Sequence, residues 1–121
     1  MTINSFVLIP ETTHGSPSGN YDGTSSEFSG TPQKASGYYL GRPAVQTVSA
    51  SFEDFTGQVL IQGTLEDYAN TDDWVTLRTF GETGSVPVEN TSSTIIGKFV
   101  WIRAVVTGFT GGKIISVNLT Y

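Results

Sequence analysis

The residue types able to do chemistry are few in this chain, and their spacing limits what they can do. His14 is the single histidine and there is no cysteine, so any triad-type nucleophilic chemistry must route through one imidazole. Its neighbours Thr13 and Gly15 offer nothing to orient that ring. Paired carboxylates for glycoside hydrolysis require an acid and a base fixed across a cleft, whereas the acids here fall in turn-like segments. No phosphate-cradling glycine run follows a strand and opens a helix. The expectation is a protein that is not an enzyme. The densest set of hard oxygen ligands lies between Glu66 and Asp73, where Asp67, Asn70, Asp72 and Asp73 are candidates for Ca²⁺. Their spacing departs from the helical-hairpin calcium loop, and an acidic hairpin loop accounts for them as well. No cofactor is therefore expected.

Binding residues are easier to nominate. Phe99, Trp101 and Arg103 fall on one face of a strand whose other face carries Val100 and Ile102. Aromatics beside polar groups can bury in a protein interface or stack on sugar rings, unless an N-terminal arm or a second sheet covers them. Arg103 has the geometry to hold an acid such as Asp72 across an interface. Tyr38, Tyr39 and Leu40 form a second adhesive patch. Phe6, Tyr21 and Phe28 complete the candidate interface set among the few apolar residues of the N-terminal third.

Composition narrows the partners. The chain has 121 residues and a net charge of −5 with only six Lys and Arg, which argues against nucleic acid, where clustered basic residues supply the affinity. No basic leader or long apolar run opens the sequence, so neither a signal peptide nor a membrane partner is expected. The charges are segregated. Residues 53–89 carry eight acids against Arg78 alone, while residues 90–121 carry Lys98, Arg103 and Lys113 and no acid. Such asymmetry can steer copies head to tail.

The elements that must position these residues are strands. Val48, Ala50 and Phe52 alternate with Thr47, Ser49 and Ser51, and Val59, Ile61 and Leu65 form a second inward row. Val75 with Leu77, the series Val100 to Val106, and Ile115, Val117, Leu119 and Tyr121 repeat the period of two. No window sustains a helical period. The fold expected is all-β, an antiparallel β-sandwich of jelly-roll type. Phe55-Thr56-Gly57 and Phe109-Thr110-Gly111 echo one another before apolar runs, as similar corners would.

Residues 10–43 break this pattern, because 20 of the 34 are Gly, Ser, Thr or Pro. A segment so poor in apolar groups cannot offset its ordering entropy alone, and loops of this length are usually functional. Two parts are expected: residues 1–43, a strand and an extended Gly/Ser/Pro-rich arm, and residues 44–121, the sandwich. The arm is expected to order by lying either on its own domain or, the favoured reading, on a neighbouring subunit.

The string from Gly57 to Leu65, the run Asp73-Trp74-Val75-Thr76-Leu77, the strand Phe99 to Val106 and the glycine-containing Thr110 to Ile114 together resemble small virion proteins of tailed bacteriophages. The same order is loosely similar to discoidin-like carbohydrate-binding sandwiches, without their disulfide and at shorter length. The resemblance implies localisation in the virion and a structural role, foremost a capsid decoration or cement protein. Its partners would be the major capsid protein and copies of itself as a homo-oligomer, a trimer being favoured. A tail, neck or fibre component and a carbohydrate-binding module used in host adsorption are the alternatives.

Overall fold

A computed structural model of the chain describes residues 5–35, 44–66, 73–80 and 85–121. The candidates Tyr38, Tyr39 and Leu40, and the possible metal ligands Asp67, Asn70 and Asp72, lie outside the described residues. Among the described residues all regular structure is β. The strands are β1 (Ser5–Ile9), β2 (Thr12–Thr13), β3 (Phe28–Ser29), β4 (Gln33–Lys34), β5 (Ala44–Thr64), β6 (Val75–Phe80), β7 (Ser85–Gly97) and β8 (Trp101–Thr120). They form one antiparallel sheet along the path β1–β8–β5–β6, with β2, β3 and β4 also on β8 and β7 on β5.

Two long strands organise the sheet. β5 and β8 pair from Thr47↔Thr120 to Thr64↔Trp101. The period of two places Val48, Ala50, Phe52, Val59 and Ile61 of β5 inward, with Ile102, Ala104, Val106, Val117 and Leu119 of β8, and all are buried. The ladder shifts register three times between Ser51 and Gln58, and there the pair bends. Asp54 adopts a left-handed conformation at φ 52°, uncommon for a residue with a side chain. Opposite it, Gly112 has φ 82°, and a Cβ at this position would collide with the Asp54 carbonyl oxygen, so the bend requires glycine. The echoed Phe-Thr-Gly corners are the two sides of this one bend. Thr56 pairs with Gly111, and the rings of Phe55 and Phe109 are 5.6 Å apart.

The bends also change which residues face inward. Ser51 opposes Ser116 while Phe52 opposes Ile114, so Ile115 is the extra residue of a bulge. Ile114 is therefore the buried residue and Ile115 is 37% exposed, which corrects the inward row expected to include Ile115. Leu65, expected inward with Val59 and Ile61, lies past the last β5–β8 pair and is 67% exposed.

The N-terminal segment behaves as one interrupted edge strand. From Ser5↔Thr120 through Thr13↔Lys113 and Phe28↔Val106 to Lys34↔Trp101, it runs antiparallel along the edge of β8 away from β5. The described part of the arm thus lies on its own chain rather than on a neighbour. A strand edge offers unpaired N–H and C=O groups, and a segment with few apolar side chains can be ordered by its backbone. His14 N donates to Gly112 O at 2.9 Å, Gly30 N to Ala104 O at 2.8 Å and Ala35 N to Val100 O at 2.8 Å. The boundary expected at residue 43 does not divide the core, because Leu8, Ile9, Tyr21 and Ala35 are buried in one cluster with the apolar residues of β5 and β8.

Side chains tie the two ends of the bent sheet together at both margins. Tyr121 Oη donates to Lys34 O at 2.6 Å and Gln33 Nε2 to Val7 O at 3.2 Å. On the opposite margin Arg78 donates to Ser93 Oγ at 2.7 Å and Thr94 O at 3.2 Å.

Candidate functional site

The outward face formed by β6, β5 and the first half of β8 holds a polar group assembled from three neighbouring segments. Thr76 and Arg103 both lie opposite Gln62, from β6 and from β8 respectively. Gln62 Nε2 donates to Thr76 Oγ1 at 3.3 Å. This fixes the amide so that its Oε1 accepts from Arg103 Nε at 2.9 Å. The guanidinium then lies over the indole of Trp74, 4.4 Å from the ring centroid, within the range of a cation–π contact. Partial burial pulls the Arg103 pKa below its ordinary value, and a guanidinium remains charged at neutral pH regardless. Trp74 Nε1 is buried without a hydrogen-bond partner among the described residues.

The sequence placed Arg103 on the correct face and proposed an acid for it. That acid was expected across an interface, and Asp72 lies outside the described residues; within the chain the described partners of Arg103 are the neutral pair Gln62 and Trp74. Trp74 becomes a partner because it immediately precedes β6, the strand that flanks β5, a neighbourhood that no local spacing reveals. Trp101 is half-buried on the same strand face as Arg103, opposite Thr64 on one side and Lys34 on the other. Phe99 does not extend that row as a free ring. It precedes β8 and packs where Cβ atoms on Gly63 and Gly97 would stand, 2.9 and 2.6 Å from its ring atoms. Beside it, Gly63, Leu65, Val75 and Phe99 line a shallow, mainly apolar cavity of about 270 Å³, with Glu66 and Asp73 also lining it.

The N-terminal candidates are used internally. Phe6 packs its ring 5.5 Å from Tyr121. Tyr21, 1% exposed, stands 5.0 Å from Phe28 and 5.1 Å from Phe109, and its Oη accepts from Gly15 N at 3.0 Å. These residues anchor the segment to its own sheet.

A second polar cavity, of about 390 Å³, sits at the bend. Thr13, His14, Glu53, Asp54, Gly112 and Lys113 line it. His14 has no orienting neighbour along the chain, yet its ring stands edge-on to Phe109 at 5.2 Å. The β2–β8–β5 register supplies the rest, with Thr13 and Glu53 on either side of Lys113. Lys113 Nζ is 3.5 Å from Glu11 Oε2. Among the described residues no group of three or more His, Asp or Glu side chains is placed to hold a metal ion.

Comparison of the chain with protein-family models, with curated proteins and with solved structures gave no match.

Proposed function

We propose that this chain is a structural protein of a tailed-bacteriophage virion, foremost a capsid decoration or cement protein, which acts by contact with other virion chains and with copies of itself. The observation that carries this reading is the distribution of apolar groups. One core takes residues from both the N-terminal segment and the long strands, yet Val7, Val45, Leu65, Val75, Ile96 and Ile115 are left large and outward. Val45 and Ile96 stand directly opposite each other on β5 and β7, at 57% and 72% exposure. Contiguous exposed apolar patches are where proteins meet other proteins, and this cross-strand pair is the seed of one on the β5–β7 face. The resemblance of the strands between Gly57 and Ile114 to small virion proteins supplies the particle as the setting. Both margins of the bent sheet are tied by side chains, which supports a jelly-roll-like sandwich as the finer architecture.

Adding the purified chain to particles lacking it, then imaging them, tests the reading. Density spread over the head supports decoration, and a few copies at the neck or tail support the alternative location. No binding to any particle surface rejects the virion role. Carbohydrate binding through Trp74 and Trp101 is the second reading, favoured by two indoles beside Arg103 and Gln62. A glycan panel that leaves the fluorescence of both tryptophans unchanged ends it.

A further inference from the structure

The guanidinium of Arg103 is held in place but not neutralised. Gln62, itself fixed by Thr76, takes the Nε–H, and Trp74 covers one face of the plane. Both described partners are neutral, and the one ion pair among the described residues is Lys113 with Glu11. The Nη edge, the part of the fork that pairs with carboxylates in bidentate fashion, carries no described hydrogen bond. A protein with net charge −5 thus keeps a pre-oriented, partly buried cation with no acid paired to it among the described residues. Fixing the fork in advance lowers the entropy cost of receiving an anion.

The complementary group lies at the bend, midway along the β5–β8 ladder. Arg103 pairs with Gln62 near one end, whereas Glu53 pairs with Lys113 at the bend. Glu53 and Asp54 are both exposed, and Asp54 projects from a left-handed corner fixed by Gly112. The single ammonium there, Lys113, already faces Glu11, so three carboxylates share one lysine. One chain therefore presents a ready receptor for a carboxylate at one site and an under-neutralised carboxylate pair at another.

We infer that copies of this chain associate head to tail, with Arg103 of one copy receiving the Glu53–Asp54 corner of the next. Contacts between two different patches close into rings when the rotation permits, which agrees with the homo-oligomer expected from the resemblance. The inference rests on the assembly reading above and names the residues that would perform it.

Complementary variants provide the test. Arg103→Gln removes the guanidinium that donates, and the double variant Glu53→Gln with Asp54→Asn removes the carboxylates that accept. Asparagine tolerates the left-handed region, so the second change removes charge without adding strain at the corner. Sedimentation velocity over a concentration series should show wild-type self-association that weakens with added salt. Each variant alone should associate roughly tenfold to a hundredfold more weakly, the value of losing charge-assisted hydrogen bonds. An equimolar mixture of the two should recover dimers, because one intact Arg103 still meets one intact acidic corner. Far-ultraviolet circular dichroism and melting temperature confirm that both variants are folded. A monomeric wild type at the highest concentration, an Arg103→Gln variant that associates like wild type, or a mixture that stays monomeric each overturns the inference. Particle binding by a wild type that stays monomeric would overturn it while leaving the virion role standing. Self-association without particle binding would do the reverse.

Discussion

If the N-terminal segment belongs to the same cooperative unit as the long strands, Tyr21 is the residue whose loss shows it. Its ring is 1% exposed and contacts Phe28 and Phe109 at 5.0 and 5.1 Å. Truncating a buried aromatic to alanine costs about 3–5 kcal/mol, and aromatic pairs add roughly 0.5–1.5 kcal/mol each beyond area. A value of about 4 kcal/mol is a large share of the roughly 5–15 kcal/mol that holds a domain folded. Tyr21→Phe keeps the ring and loses only the hydrogen bond accepted from Gly15 N. Gly15 is exposed and its N–H can turn to water, so that change should cost about 0.5–1 kcal/mol. The assay is equilibrium urea unfolding followed by tryptophan fluorescence, in which Trp74, just before β6, reports on the sheet, while Trp101 faces Lys34 of the N-terminal segment. With a slope of about 2 kcal/mol per molar urea, Tyr21→Ala should lower the midpoint by roughly 2 M and Tyr21→Phe by less than about 0.5 M. A Tyr21→Ala midpoint within roughly 0.3 M of wild type would refute the reasoning. The segment would then unfold independently of the sheet to which the structure pairs it.

Other perturbations follow from particular contacts. Gly97→Ala and Phe99→Ala should each destabilise the chain but combine less than additively, because the first places a Cβ where the Phe99 ring lies; a double-mutant cycle with no coupling energy would contradict that packing. Gly112→Ala should cost several kcal/mol, above the usual ~1 kcal/mol for ordinary glycine positions, since it adds strain at φ 82° and a clash with Asp54; melting near the wild-type temperature would disprove the tight bend. Asp22 accepts hydrogen bonds from Ser25 N and Thr24 N, each at 2.8 Å, and these hold its carboxyl well below the usual carboxylate range. With the folded value depressed, its contribution to stability is present above about pH 4, the unfolded value, and is lost as pH falls below that. An NMR titration should find Asp22 still ionised at about pH 3, and a midpoint near the ordinary carboxyl value of 3.8 would remove those bonds from solution.

How much of this was legible beforehand depends on whether side chains or backbone did the work. The inward rows of β5 and β8 were readable because burial selects apolar residues at a period of two, and Val48, Ala50, Phe52, Ile102, Ala104 and Val106 are all buried. Ile115 and Leu65 were misplaced because a bulge and a ladder's end are set by pairing with another strand. The arm was misjudged for a related reason. Its composition correctly indicated that it could not bury its own surface, but hydrogen bonding to an edge leaves almost no mark on composition.

The candidate site divides along the same line. Arg103 could be assigned to an outward face from alternation alone. Its setting could not, because Gln62 of β5 and the start of β6, with Trp74 just before it and Thr76 on it, are brought to Arg103 only by the β6–β5–β8 order. His14 met Phe109, and came to share a cavity with Asp54 and Lys113, in the same manner. Local periodicity thus determined the class of fold and the charge available to it. Which residues share a surface was decided by strand pairing across tens of residues, where the gain lies in backbone hydrogen bonds that any residue but proline can make.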